Sequence, residues 1–196
     1  MRDEIIKQLK ESAEVKLRTA EALADHIAKA AEMIMDTYRK GGKVLLIGNG
    51  GSAADAQHIA GELVANLEPR RGTRRALYAV ALATNFSVVT AIGNDHSYEK
   101  VFAREIEAAA NPGDLLVALT TSGTSPNIIH AIEVAKARGM LVVGFLGKGG
   151  GKAKDMVDLA LIVPSDNTQR VQETHIVMGH IVCDLVERAL LDGTLV

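Results

Sequence analysis

Thr120, Thr121, Ser122, Gly123, Thr124 and Ser125 form one unbroken run, followed at once by Pro126. Five hydroxyls around one glycine, just ahead of a helix that Pro126 can open, supply side-chain donors, backbone N–H groups and the positive end of a helix dipole. Such a set holds an anion without a lysine or a metal, and a phosphate monoester fits it, whereas a plain helix cap needs only one such residue. A second turn, Gly48-Asn49-Gly50-Gly51-Ser52, also follows an apolar run and precedes a helix. Gly48, Gly50 and Ala53 satisfy the dinucleotide fingerprint G-x-G-x-x-G/A. That fingerprint also needs an acidic residue about 20 positions on, where the second strand ends. Here that strand ends Ala83-Thr84-Asn85 and Glu68 falls in a Pro/Arg loop, which counts against a dinucleotide. Ser52 is then a helix cap or a hydroxyl donor to an anion. The chain has no G-x-x-x-x-G-K-[ST] segment, which argues against nucleotide hydrolysis. His58 and Glu62 stand four apart, about 40° around and roughly 6 Å along a helix, so they can grip one cation, orient one another, or simply pair at a surface. Asp55 shares their stripe and either supports that pair or compensates the dipole of the first turn.

These groups need a scaffold. The chain has 196 residues, 47% apolar but only 3% aromatic, a composition for aliphatic packing between helices and a sheet. The length predicts a single domain over 1–196 with an N-terminal helical segment over 1–40. Apolar residues at helical spacing, among them Ile5, Leu9, Ile27, Ala30, Ala31 and Ile34, predict two helices before Gly41 and Gly42 stop them. An alternating pattern follows. Strands are predicted at 43–47, 77–83, 114–119, 141–145 and 159–163, and helices at 53–67, 86–92, 97–109, 125–138 and 168–191. Near-continuous apolar strands such as Leu115–Leu119 suit a five-stranded, doubly wound parallel α/β sheet covered by helices on both faces. In such a sheet ligands bind outside the carboxyl ends of the strands, so the loops that begin at Gly48, Thr120 and Gly147 are the candidates.

A net charge of −2 gives no electrostatic reason to expect nucleic acid, and the Arg70, Arg71, Arg74, Arg75 block reads as a solvated loop. The one cysteine, Cys183, excludes an internal disulfide and suits a reducing compartment. The charged start has no signal-peptide pattern, and no run nears the roughly 18 apolar residues of a membrane span. A cytoplasmic protein without membrane contact is expected.

With GNGGS after the first strand and TSGTS after the third, the sequence resembles the sugar isomerase (SIS) domain family. The segments GNGGSAADAQHIAGE, TAIGNDHSYEKVF, TSGTSPNI and VQETHIVMGHIV occur in order and bring it near the members that act on seven-carbon sugar phosphates. The resemblance implies a SIS fold, a homotetramer with sites at subunit interfaces, and conversion of sedoheptulose 7-phosphate to D-glycero-D-manno-heptose 7-phosphate. That reaction begins the route to the ADP-heptose of lipopolysaccharide or other heptosylated glycans. It further implies that Thr120, Thr121, Ser122 and Ser125 hold the phosphate with Ser52 assisting. Asn49, Gly50, Gly51, Asn94 and Asp95 would contact the sugar, and zinc would bind through His58, Glu62, Gln172 and His180, with Gln172 also near substrate. The sequence departs from its relatives at Asn66 and Leu67, where an Arg and an aromatic are frequent, and at Gln169, where some carry Asp.

Ketose to aldose conversion needs one group to move a proton between C1 and C2 and another to shuttle a proton between the two oxygens, through an enediol. Glu62 as carbon base and His180 as oxygen acid suit these roles, and the reverse assignment serves equally. Gln172 and His180 lie about 12 Å apart along one helix, so a site using both is expected to combine more than one helix and more than one subunit. His175 reads as a partly buried structural residue, and His26, His96 and His130 as structural or exposed. A rival reading is a non-catalytic SIS module that binds a sugar phosphate or a protein, as relatives similar to the replication-initiator-associating protein do. A nearer rival is an isomerase of a shorter sugar phosphate.

Overall fold

A computed structural model describes residues 1–195. Five strands, β1 (Val44–Gly48), β2 (Ala79–Ala81), β3 (Leu115–Thr120), β4 (Leu141–Leu146) and β5 (Leu159–Ile162), pair in parallel in the order β2-β1-β3-β4-β5. Around them lie α1 (Arg2–Arg39), α2 (Gly51–Val64), α3 (Phe86–Asp95), α4 (Val101–Ala109), α5 (Pro126–Ala137) and α6 (Thr168–Leu191). Every residue of β1 and β3 is buried, because the pleat sends alternate side chains into two separate cores. Val44, Leu46, Leu115, Val117 and Leu119 join residues of α1, α2 and α6 on one side. Leu45, Ile47, Leu116 and Ala118 join those of α4 and α5 on the other. This is the doubly wound α/β architecture predicted.

Four boundaries differ. Residues 2–39 form one helix of 38 residues where two were predicted; this stretch contains no glycine or proline to break it, and its buried line Val15, Leu23, Ile27, Ala30, Ala31 and Ile34 stays continuous. β2 is only three residues long, because the backbone N–H of Leu77 turns aside to the Leu63 carbonyl and leaves an edge strand. α3 runs on to Asp95, its first turn capped by the Asn85 side chain, which accepts from Ser87 and Val88 N–H. The helix expected from Ser97 begins instead as a single tight turn, and α4 starts at Val101. Among the described residues no helix is long and apolar enough to cross a membrane.

His175 is wholly buried and not merely partly so; its Nε2 meets the Leu146 carbonyl at 3.0 Å. Burial lowers its pKa from 6.5 to about 4, with the Leu146 carbonyl pulling weakly the other way. The unfolded imidazole therefore takes up a proton below about pH 6.5 that the folded one refuses until about pH 4, so stability is full above 6.5 and falls as the pH drops through that window. We expect a loss of up to about 3 kcal/mol from this group. Urea titrations from pH 7 to pH 4 should show the slope, and His175→Gln should flatten it.

Candidate active site

The chain order reverses between β1 and β3, which makes the crevice at their carboxyl ends the natural ligand site of such a sheet. Gly48 pairs with Leu119, so the glycine turn and the hydroxyl turn leave the sheet side by side. Two buried or half-buried carboxamides fasten them together. Asn49 Nδ2 donates to Asn127 Oδ1 and Asn127 Nδ2 donates to Asn49 Oδ1, both at 2.9 Å, while the Tyr98 hydroxyl donates to Asn49 Oδ1 at 3.2 Å. The Asn49 side chain thus helps hold the turn and keeps one Nδ2 hydrogen free. Asn127 and Tyr98 were not singled out in the sequence, since an Asn in a helix and a Tyr in a loop carry no distinctive pattern.

In the hydroxyl turn, the buried Thr120 Oγ1 accepts from Gly123 N–H at 3.2 Å and lies 3.5 Å from Ser125 Oγ. Ser122 Oγ accepts from both the N–H and the hydroxyl of Thr124. Ser125 occupies the N-cap of α5 yet makes no side-chain cap bond, and half-buried Thr121 precedes it in the same turn. Ser52 does not cap α2: Gly50 takes that position, at φ 56°, and Ser52 lies buried in the first turn. Asn94 and Asp95 are exposed at the end of α3, hydrogen-bonded to one another at 2.8 Å. Three residues beyond, Tyr98 reaches Asn49, which draws this end of α3 towards the glycine turn.

A second group forms where α2 crosses α6. His58 Nε2 lies 2.9 Å from Glu62 Oε1 and 3.0 Å from His180 Nε2, and His180 Nε2 lies 3.3 Å from the same Glu62 oxygen. Donors around a four-coordinate zinc, bonded at about 2.0–2.1 Å, stand roughly 3.3 Å apart. Two imidazole nitrogens turned towards each other and one carboxylate oxygen therefore make a group that can hold a metal ion. Glu62 Oε2 is buried with no hydrogen-bond partner. Burial holds the Asp55 carboxyl above its usual range against the pull of His58 and His180, and its Oδ2 is also unpartnered. Cys183 is buried near Ile59 and Glu62, and burial pushes its thiol well up, keeping it protonated. His26 and His96 are exposed, and His130 sits half-buried 3.5 Å from Glu133.

Gln172 is not in this group. A Cβ on Gly51 would stand 1.9 Å from Gln172 Nε2, so the glutamine amide rests against the start of α2. That is about 10 Å along α2 from His58. One chain thus joins three of the four expected ligands, and His180 reaches the other two from within the same chain. The helix rise also separates Gly51 from Glu62 by about 16 Å, whereas an extended heptulose 7-phosphate measures only about 9 Å from carbonyl carbon to phosphorus.

Arg70, Arg71 and Arg75 are exposed, as a solvated loop requires, but Arg74 is not. Its side chain is 3% exposed and its Nε donates to Glu187 Oε2 at 3.0 Å, with Glu187 1% exposed. The guanidinium also donates to the Glu62 and Leu63 carbonyls, closing the end of α2, and Glu187 accepts from Leu67 and Glu68 N–H. Arg74 therefore ties the helix that carries Glu62 to the helix that carries His180. Removing one partner of a buried pair strands the other charge, so Arg74→Ala should cost about 3–5 kcal/mol, read as a melting point lower by roughly 10 °C. Asn66 meanwhile donates to the Gly72 carbonyl at 2.9 Å.

The SIS domain family matches residues 8–147. The chain is 50% identical over 188 residues to a phosphoheptose isomerase of Roseiflexus sp. (strain RS-1), a match that covers 96% of this chain and 94% of the relative. A phosphoheptose isomerase structure from Neisseria gonorrhoeae superposes with a TM-score of 0.89 at 38% identity, over 95% of this chain and 98% of that one. One from Francisella tularensis gives 0.90 at 37% identity, over 95% and 97%.

Proposed function

The chain belongs to the SIS domain family and within it to the phosphoheptose isomerases, and from that premise we propose that Glu62 and His180 are its acid–base pair. The enzyme is a sugar-phosphate isomerase, and its reaction interconverts sedoheptulose 7-phosphate and D-glycero-D-manno-heptose 7-phosphate. The phosphate rests on Thr120, Thr121, Ser122 and Ser125 with Ser52 beside them, and Asn49, Gly50, Gly51, Asn94, Asp95 and Gln172 frame the sugar. Glu62 takes the proton from C1 and returns it to C2, while His180 gives a proton to the C2 oxygen and accepts one from the C1 oxygen, so the overall change is internal to the substrate. Glu62 Oε1 faces the imidazoles, while Oε2 is buried and free of partners. A zinc ion held by His58, Glu62 and His180, with Gln172 able to join as a fourth donor only from another copy, would supply Lewis-acid polarisation of the carbonyl oxygen.

The observation that carries this reading is the carboxylate of α2 meeting the imidazole of α6 at 3.3 Å, across 118 residues of chain from Glu62 to His180. The rise of about 16 Å along α2 from Gly51, whose turn leaves the sheet beside the phosphate turn, to Glu62, against a substrate of about 9 Å, favours a site shared between copies, with the phosphate turn of one chain serving the pair of another, as in a homotetramer. Such an assembly would work in the cytoplasm, at the head of a route to ADP-heptose. Incubation with sedoheptulose 7-phosphate in D2O tests the reaction: deuterium should enter C1 or C2 as the aldose forms. Five- and six-carbon ketose phosphates should turn over more slowly. No incorporation at any zinc loading would favour a module that only binds sugar phosphates.

A further inference from the structure

The loop over residues 147–153, which follows β4 at the same edge of the sheet, has no part in the chemistry above, yet it lies against the hydroxyl turn at three points. A Cβ on Gly147 would stand 2.9 Å from the Thr121 carbonyl oxygen, one on Gly151 would stand 2.6 Å from the Ser122 carbonyl oxygen, and one on Gly123 would stand 2.0 Å from the Gly150 carbonyl oxygen. Real side chains do not fit at such distances; at Gly151 and Gly123 the neighbours are all backbone, which cannot swing aside, and at Gly147 the Val171 side chain crowds in as well. Ala153 N–H closes the contact by donating to the Gly123 carbonyl at 2.9 Å. Gly149, in the same loop at φ 72°, faces nothing within 4 Å.

We propose that this glycine loop is the fixed wall that sets the backbone of the phosphate turn, which makes Gly151 a positioning residue for the phosphate of the substrate. The proposal rests on the reading of Thr120–Ser125 as the phosphate site. Donors preorganised around an anion bind it strongly because nothing need rearrange, and shifting the backbone by a few tenths of an ångström forfeits that alignment. A side chain at Gly151 pushes on Ser122 and Gly123 themselves, while Glu62 and His180 lie on other elements. Its effect therefore falls on phosphate affinity and spares the proton transfers.

Alanine at Gly151 and at Gly149 provides the test, since both replace a glycine of positive φ, 51° and 72°, and only Gly151 touches the turn. In the full-length protein, Gly151→Ala should raise KM and the inhibition constant of inorganic phosphate about tenfold, with kcat within about threefold of the parent. Gly149→Ala should lower the melting temperature by less, since its side chain meets no neighbour, and leave both constants unchanged. Equal effects from the two variants, or an unchanged phosphate constant in Gly151→Ala, overturn the proposal. Ser122→Ala separates the two levels: if that variant also leaves phosphate inhibition untouched, the phosphate site itself has been misread. Should Gly151→Ala fail to fold, hydrogen exchange of the parent decides: inorganic phosphate should slow the Ala153 amide together with that of Gly123, and slowing of Gly123 alone overturns the wall.

Discussion

Glu62→Gln should lower kcat for sedoheptulose 7-phosphate by about 10³-fold, the scale that one positioned acid–base group contributes. The amide keeps the size and one oxygen of the carboxylate, so the crossing of α2 and α6 should survive. Thermal melting close to that of the parent would show this. Glu62 lies about 16 Å along α2 from Gly51, whose turn leaves the sheet beside the phosphate turn, so inhibition by inorganic phosphate should stay within about twofold. That separation is the informative part, because loss of turnover with intact phosphate binding is what a proton-transfer group produces, and joint loss would mean a damaged fold. Wild-type rates in Glu62→Gln would remove Glu62 from the chemistry.

The second large effect belongs to His180→Gln, with kcat expected to fall about 10²–10³-fold. His180 and His58 make the same contact with Glu62 Oε1, at 3.3 and 2.9 Å, so His58→Gln is the matched comparison. If His180 moves a proton, its variant stays inactive at any zinc concentration. His58→Gln, which removes a donor but neither proton-transfer group, should regain turnover as zinc is raised. Full rescue of both variants by zinc would assign His180 to metal binding alone, and isothermal titration with zinc would report the affinity lost in each.

The scaffold is legible in the sequence because each signal is local: an apolar run buried on both faces reads as a central parallel strand, and Gly50 ahead of α2 and Ser125-Pro126 at α5 mark where those helices begin. The hydroxyl turn at Thr120 is legible for the same reason, its five oxygens falling within six residues. Arg74 is not, because a surface arginine and a buried one look alike until Glu187, 113 residues away, is folded beside it. Asn127 shows the same blindness, since the partner that gives its carboxamide meaning lies 78 residues earlier at Asn49. For α1, periodicity gave the buried face from Ile27 to Ile34, but Ile5 and Leu9 are exposed because the first turns extend past the sheet, and it did not give the continuity, as nothing in a helical pattern alone distinguishes one long helix from two. Gln172 marks the opposite case: its spacing from His180 rightly indicated that one helix could not bring both to one ion, and the structure puts its amide at Gly51.

A crystal structure of the assembled protein with sedoheptulose 7-phosphate bound would test the account most directly. It should place the phosphate within the Thr120–Ser125 turn of one copy, with C1 and C2 beside Glu62 and His180 of another. A phosphate lodged elsewhere, with that turn empty or filled by side chains, would contradict it.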